Sequence, residues 1–298
     1  MVEKINPQVF LTVAETGSFR QAAERLGYTQ AGISYIIAAM EEAIGLRLFT
    51  REHGGVRLTQ DGRELLPQIR QLSEWERHFR QTIDEISGLE KGLIRVQIFD
   101  SISVHWIPGI VQHFHHDYPG IEIELISEED SQRAAQMLEN GEVDCGFFLS
   151  DLTSRLDVFP LLKDPLIAVV GPDHMLADQD RFPLADLGRY PFIAMKYDDH
   201  TGVKKLFEHR NIIPDTAFYM DNDYAAMAMV SRGLGYGIFP KLLLRNVPYK
   251  LHFLPFDEPQ YRTICIGTRS FKNCSRACAK FIEYVREWVQ QTQQTSDH

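Results

Sequence analysis

Thr29, Gln30, Ala31, Ser34 and Tyr35 lie together in the stretch TQAGISYIIAAMEEAIG and carry the groups with which a helix reads a nucleic acid. A glutamine amide presents one donor and one acceptor at the spacing of the adenine edge, and an alanine methyl fits against a thymine methyl. The hydroxyls of Thr29, Ser34 and Tyr35 suit phosphate oxygens or base edges. From Thr29 to Gly45 the chain has neither lysine nor arginine, so attraction to a polyanion has to come from elsewhere. The sources are the positive end of the helix dipole, Arg20 upstream, and Arg47, Arg51, His53 and Arg57 downstream, where a turn would aim arginines at a minor groove. A plainer reading stands beside this one, in which Thr29 only caps its helix and Tyr35 packs on a neighbour.

A second set of groups sits where strands end and helices begin, the usual place for a small ligand in an α/β lobe. LIRVQIF runs into Ser101 and Ser103, DCGFFL ends at Phe148 and Ser150, YPFIAM ends at Lys196 with Thr201 beyond it, and AFYMD ends at Asp221. Asp100 would repel a bound carboxylate, which Lys196 can offset; a zwitterionic or polyhydroxylated ligand is the alternative. Phe99, Trp106, Phe148 and Tyr197 suit a flat ring equally well. Ser101 and Thr201 serve as ligand contacts or as helix caps, and the pattern does not choose.

Catalytic chemistry finds little support. There is no glycine-rich phosphate loop, no nucleophile elbow and no well-spaced carboxylate pair, and GLGYGIFP follows a helix where a dinucleotide fingerprint follows a strand. His105, His113, His115 and His116 read as a solvated helix face before they read as a metal site, so neither metal nor cofactor is expected. Cys274 and Cys278, spaced for one helix face, read as packing residues, and all four cysteines as free thiols.

The elements that must position the first set are short helices with tight corners. Val9, Phe10, Val13 and Ala14 recur at helical spacing before Gly17-Ser18; FRQAAERLG follows and stops at Gly27; Thr29 opens the next helix, whose inner stripe is Ile33, Ile37, Met40 and Ile44. Ala22 and Ala23 leave room for a close crossing, the mark of a helix-turn-helix. His53-Gly54-Gly55 then turns two extended pieces into a hairpin wing. A long helix from about Asp61 to about Ser87 bears Leu65, Leu66, Ile69, Leu72, Trp75, Phe79 and Ile83 on one stripe, which calls for a second copy to cover it. Past Gly92, strands alternate with helices in two runs, predicting parallel sheet.

The chain has 298 residues, 44% of them hydrophobic and 24% charged, enough for two or three packed units. A net charge of -10 argues against indiscriminate coating of nucleic acid. Basic and acidic residues nearly balance up to Leu65, so most of the negative charge lies beyond it. Neither a signal-peptide core nor an apolar run of about 20 residues is seen, so the expectation is a cytoplasmic protein with no membrane partner.

SFRQAAERLGYTQAGIS, EEAIGLRLFTREHGGVRLTQDG, the long helix, LIRVQIFDSISVHWIPG, NGEVDCGFF, DPLIAVVGPDHMLA and VSRGLGYGIFP, in this order, resemble the LysR-type transcriptional regulators over essentially the whole chain. The resemblance implies a winged helix-turn-helix plus a long linker helix, followed by an α/β two-lobed sensor domain similar to periplasmic binding proteins. It implies double-stranded promoter or operator DNA and a small-molecule effector as partners, and a homodimer or homotetramer. The boundaries expected are 1–60 for the DNA-binding domain, 61–88 for the linker, 92–162 with 267–298 for one sensor lobe and 163–266 for the other. Family members usually carry Ser-Gln-Pro-Ala and then an arginine in the reading helix; here Thr29, Gln30, Ala31 and Gly32 take the first places, and Tyr35 and Ile36 follow Ser34. Ser101 and Thr201 fall at the family's hydroxyl positions in the two lobes.

Overall fold

The computed structural model describes residues 5–52, 55–86, 91–150, 156–196 and 202–296. The chain divides into two compact units, Met1–Leu89 with Asn140–Glu142, and Glu90–Glu139 with Val143–His298.

The first unit contains α1 (Pro7–Thr16), α2 (Phe19–Leu26), α3 (Gln30–Ile44), β1 (Phe49–Glu52), β2 (Gly55–Leu58) and α4 (Gln60–Ile86). Each of the first three helices starts on a side-chain cap: Asn6 accepts from Val9 N, Ser18 from Gln21 N and Thr29 from Gly32 N. Each stops on a left-handed glycine, Gly17, Gly27 and Gly45. Their apolar faces close on one core around Phe10, Ala22, Ile33, Met40, Leu48 and Phe49, with Ala22 and Ala23 fully buried. Glu41, almost buried, ties the wing to α3: one carboxylate oxygen accepts from the backbone N–H groups of Leu48 and Phe49 at 2.8 and 3.1 Å, and the other pairs with Arg47. At the far side of the hairpin, Gly17 O accepts from Val56 N at 2.7 Å, and a Cβ on Gly55 would stand 2.6 Å from that same oxygen. Only glycine fits there. β1 and β2 pair antiparallel, as the hairpin reading expects.

α4 begins on Thr59, whose hydroxyl accepts from Gly62 N. Leu65, Leu66 and Ile69 join the core of the first unit, but the same stripe continues as Trp75 and Phe79, 73% and 67% exposed, and Ile83.

The second unit contains β3 (Gly92–Ile98), α5 (Asp100–His105), α6 (Ile107–Asp117), β4 (Ile121–Ser127), α7 (Ser131–Glu139), β5 (Cys145–Leu149), β6 (Asp157–Val170), β7 (Phe192–Met195), α8 (Val203–His209), β8 (Thr216–Met220), α9 (Asp223–Val230), β9 (Gly237–Pro240), β10 (His252–Thr268) and α10 (Arg276–Ser296). Six strands form one sheet in the order β4-β3-β5-β10-β6-β9, and β7 pairs with β8 beside it. The sheet is mixed and not parallel throughout. β3 runs parallel to β4 and β5, but β10 is antiparallel to β5 and β6, and β6 to β9. The reason is that β6 and β10 are far longer than PLIAVVG and TICIGT suggest, and each serves two lobes. Their outer stretch pairs Asp157–Lys163 with Thr263–Thr268, and their inner stretch pairs Asp164–Val170 with His252–Arg262.

Two cores flank this crossing. Ile94, Phe114, Phe147, Phe281 and Val285 centre the first, and Phe182, Leu187, Phe192, Tyr236 and Phe256 the second. Ile264 and Ile266, expected in the second lobe, pack in the core of the first, because β10 has crossed over by Thr263. Cys274 precedes α10, so it shares no helix face with Cys278; all four cysteines are free thiols. Among the described residues no helix is long and apolar enough to cross a membrane.

Candidate DNA-reading face and effector cleft

On α3 the first turn faces outward. Thr29, Gln30 and Ala31 are exposed, and Tyr35, one turn further, is 76% exposed. The Thr29 hydroxyl accepts from Gly32 N at 3.1 Å, so it caps the helix while its methyl stays outside. Tyr35 is not a packing residue within the first unit. Ser34 is half-buried at the mouth of a hollow shared with Ile37, Glu41 and Arg47. Arg20 reaches Glu24 at 3.4 Å with both side chains exposed, and Arg47, itself exposed, reaches the buried Glu41 at 3.0 Å. An exposed pair such as Arg20–Glu24 contributes little and exchanges readily for a phosphate. Arg57 is exposed on β2. Arg51 lies on β1 but its side chain falls outside the described residues, as does the whole of His53.

In the second unit, Ser101 is buried at the start of α5 and its hydroxyl accepts from Arg262 Nη2 at 2.8 Å. Arg262 stands directly opposite Asp164 in the β6–β10 register, where the strands pass from one lobe to the other. Its Nε and Nη2 both lie 3.0 Å from Asp164 Oδ2, while Asp164 Oδ1 accepts from Leu242 N at 3.0 Å. Both side chains are almost fully buried. Beside them lies a cavity of about 30 Å³ lined by Phe99, Asp100, Ser101, Glu129, Met195, Asp221, Asp223, Pro240, Leu243 and Arg262.

Of the expected ligand contacts, Ser101 and Asp221 line this cavity. Ser103 does not; its hydroxyl turns back to Asp100 O at 2.8 Å. Phe148 is corrected: it packs against Ala134, Met137 and Leu138 in a cluster with α7, because every residue of β5 is buried and Phe148 points to the sheet face away from the cavity-side Phe147 core. Trp106 is likewise interior, against Phe147 and Trp288. Ser150 and Lys196 are exposed at the ends of β5 and β7 and do not line the cavity; Tyr197 and Thr201 fall outside the described residues. Among the described residues no group of His, Cys, Asp and Glu is arranged to hold a metal ion, and His113 Nδ1 engages Gly109 O.

The sequence reading missed Asp164, Arg262, Glu129 and Asp223. Glu129 follows β4 as Ser101 follows β3, so the end-of-strand rule could have found it. Nothing local marks Arg262, which lies within a strand. Glu129 Oε1 accepts from Asp100 N at 2.8 Å, and burial, with the Asp100 charge added, pushes its carboxyl up to about 7. Burial and Asp100 push Asp223 up to about 6, against a partial offset from Arg262. Burial lowers the Arg262 pKa and Asp164 opposes it.

Residues 7–63 match the bacterial regulatory helix-turn-helix protein family of LysR type, and residues 87–290 match the LysR substrate binding domain. The chain belongs to the LysR family. It is a transcriptional regulator with a helix-turn-helix DNA-binding domain and an effector-binding domain. The HTH-type transcriptional regulator YvbU of Bacillus subtilis (strain 168) is 28% identical over 283 residues, covering 94% of this chain and 96% of the relative. The crystal structure of full-length CbnR complexed with its target DNA superposes with a TM-score of 0.67 at 21% identity, over 95% of this chain and 98% of that one. The effector-binding domain of QuiR in complex with shikimate superposes with a TM-score of 0.60 at 24% identity, over 67% of this chain and 98% of that one.

Breaking the buried pair tests its role in this LysR regulator. Asp164→Asn strands a buried guanidinium and should lower stability by about 3–5 kcal/mol, whereas Asp164→Leu with Arg262→Met should cost less than either single change. Urea unfolding followed by tryptophan fluorescence measures both; a double-variant loss equal to the sum of the two single losses would show that the pair is not coupled. Glu129 sets a pH dependence with a definite sign. Its folded pKa lies above its unfolded one, so its stabilisation is complete below pH 4.5 and is lost as pH rises through about 7. Glu129→Gln should therefore gain on the wild type between pH 5 and pH 8 by on the order of 1–2 kcal/mol; a constant difference across that range would refute the assignment.

Proposed function

We propose that this regulator reads operator DNA with the outward N-terminal half of α3. Gln30 pairs with an adenine edge, Ala31 meets a thymine methyl, and Ser34, Tyr35 and Thr29 position the helix on phosphates or base edges. Arg20, Arg51, His53 and Arg57 supply the charge that α3 lacks. The observation that carries this reading is the exposure of Gln30, Ala31 and Tyr35 on one end of a helix whose opposite face is buried. The protein acts in the cytoplasm, by binding and not by catalysis, as CbnR binds its target DNA.

The apolar stripe beyond Ile69 assigns a second copy of the chain to α4. Trp75, Phe79 and Ile83 sit four residues apart and exposed, a spacing that buries well against a like helix. Two copies joined this way place two reading helices on one duplex, and a dimer of dimers extends the same logic. A small molecule in the inter-lobe cavity, against Ser101 and Asp221, modulates the output; the QuiR domain holds shikimate.

A gel shift with DNA flanking its own gene tests the reading. Gln30→Ala should relax choice at one or two base pairs, and Arg51→Ala should weaken binding to all sequences and reduce the salt slope by about 1. Unchanged affinity and slope for Arg51→Ala would remove the wing as anchor. Sedimentation should find Trp75→Lys with Phe79→Lys shifted toward the monomer; an unaltered assembly would exclude α4 as the seam.

A further inference from the structure

Three of the four cysteines meet at the start of α10, and neither DNA reading nor the inter-lobe cavity uses any of them. Cys145 opens β5 and Cys278 lies in the first turn of α10, both buried in the first core of the second unit. Cys274, half-buried, packs against the same core. The Cys278 thiol hydrogen-bonds with the thiols of Cys145 and Cys274, and its sulfur lies 3.7 Å from Asp144 O. Cys274 Sγ in turn donates to Phe271 O at 3.4 Å. A partly exposed thiol in contact with a buried one is the arrangement in which an oxidant reaches one sulfur and the other closes on it.

The backbone permits that closure. Within a regular helix, residues four apart hold their sulfurs too rigidly for an easy disulfide. Cys274 is not so held, because it stands in a bend ahead of the helix. Ser275 forms the cap between the two, its hydroxyl accepting from Cys278 N at 3.2 Å. A turn of the bend brings the two Cβ atoms to the separation of about 3.5–4.5 Å that a disulfide needs. Lys272 and Arg276, both exposed, flank Cys274, and the positive end of α10 adjoins it, a setting that favours the attacking thiolate. Cys278 suits the second role. Its hydrogen bond with Cys145, with burial added, pushes its thiol well up, so it waits protonated. A metal ion is the poorer match, because among the described residues no group of His, Cys, Asp and Glu is arranged to hold one.

We propose that Cys274 and Cys278 are a peroxide-oxidisable pair that closes to a reversible disulfide, a modification site separate from the cavity. The Cys274 thiolate attacks one oxygen of hydrogen peroxide, the O–O bond breaks, and hydroxide leaves. Sulfur gives up two electrons to the peroxide and becomes a sulfenic acid. The Cys278 sulfur then attacks the Cys274 sulfur, the S–O bond breaks, and the Cys278 proton leaves with the departing hydroxide as water. A dithiol returns the two electrons and restores both thiols. The bridge turns the Cys278 sulfur away from Cys145 and Asp144 O, so α10 loses a contact with β5.

Thiol titration of the denatured full-length chain, before and after a small molar excess of hydrogen peroxide, tests it. The four thiols should fall to two, and dithiothreitol should restore them. Trypsin cuts after Lys272, Arg276 and Lys280, so the bridge should appear in the mass spectrum as Asn273–Arg276 joined to Ala277–Lys280. Cys274→Ser should keep all its remaining thiols at the same dose, Cys265→Ser should lose two as the wild type does, and Cys278→Ala should leave a Cys274 sulfenic acid that dimedone traps. The wild-type peptide map decides even where Cys278→Ala is too unstable to assay. Four thiols surviving a dose that oxidises free glutathione overturns the proposal. So does a bridge to Cys145 or Cys265, a bridge between two chains, or a Cys274→Ser chain oxidised like the wild type.

Discussion

A buried ion pair at a strand crossing organises the effector-binding half of this protein. Asp164 and Arg262 face each other at the point where β6 and β10 leave one lobe and enter the other. Such a pair is costly to bury, and its desolvation is repaid only when every remaining donor and acceptor finds a partner. Here the partners are present: the Ser101 hydroxyl at the head of α5 accepts from one guanidinium nitrogen, and Leu242 N donates to the carboxylate. The pair sits where β6 and β10 cross, and its Arg262 lines the cavity with Ser101. It also engages Arg262, the only arginine among the described lining residues, beside the carboxylates of Asp100, Glu129, Asp221 and Asp223.

The DNA-binding half solves a different problem with the same economy of polar groups. From Thr29 to Gly45 the chain carries neither lysine nor arginine, so what the fold fixes in this half is the orientation of α3 and the wing. Glu41 supplies part of that orientation by accepting from the first amides of β1, which joins the wing to the end of α3. Gly55 supplies the rest, by letting the hairpin backbone approach Gly17. Arg20, exposed and weakly paired to Glu24, then brings charge to a scaffold that is nearly neutral.

Local features were legible in the chain because they are decided locally. Caps at Ser18 and Thr29, stops at Gly17 and Gly27, and the stripe of Ile33, Ile37 and Met40 all appear where the sequence reading puts them. The linker stripe was equally plain, since Trp75 and Phe79 violate the pattern of a solitary surface helix. Ser101 and Asp221 line the cavity near the strand ends to which the end-of-strand rule points, and Glu129 was within that rule's reach. Phe148 was misplaced because β5 is buried along its whole length, and an unbroken apolar run does not reveal which face a ring takes; Trp106, at the junction of α5 and α6, turns inward against Phe147 and Trp288.

The sequence by itself determined the helix-turn-helix, the wing and the linker helix, because these follow from periodicity, capping and turn chemistry within short windows; the two-lobed sensor fold followed only from the resemblance to the LysR family. Only the tertiary structure decided the chemistry of the cavity. Arg262 and Asp164 are 98 positions apart, and Arg262 and Ser101 are 161 apart, so their meeting depends on strand register and crossover and not on any spacing along the chain. Whether a charged side chain is a solvated surface group or a buried member of a network is settled by what the fold brings against it.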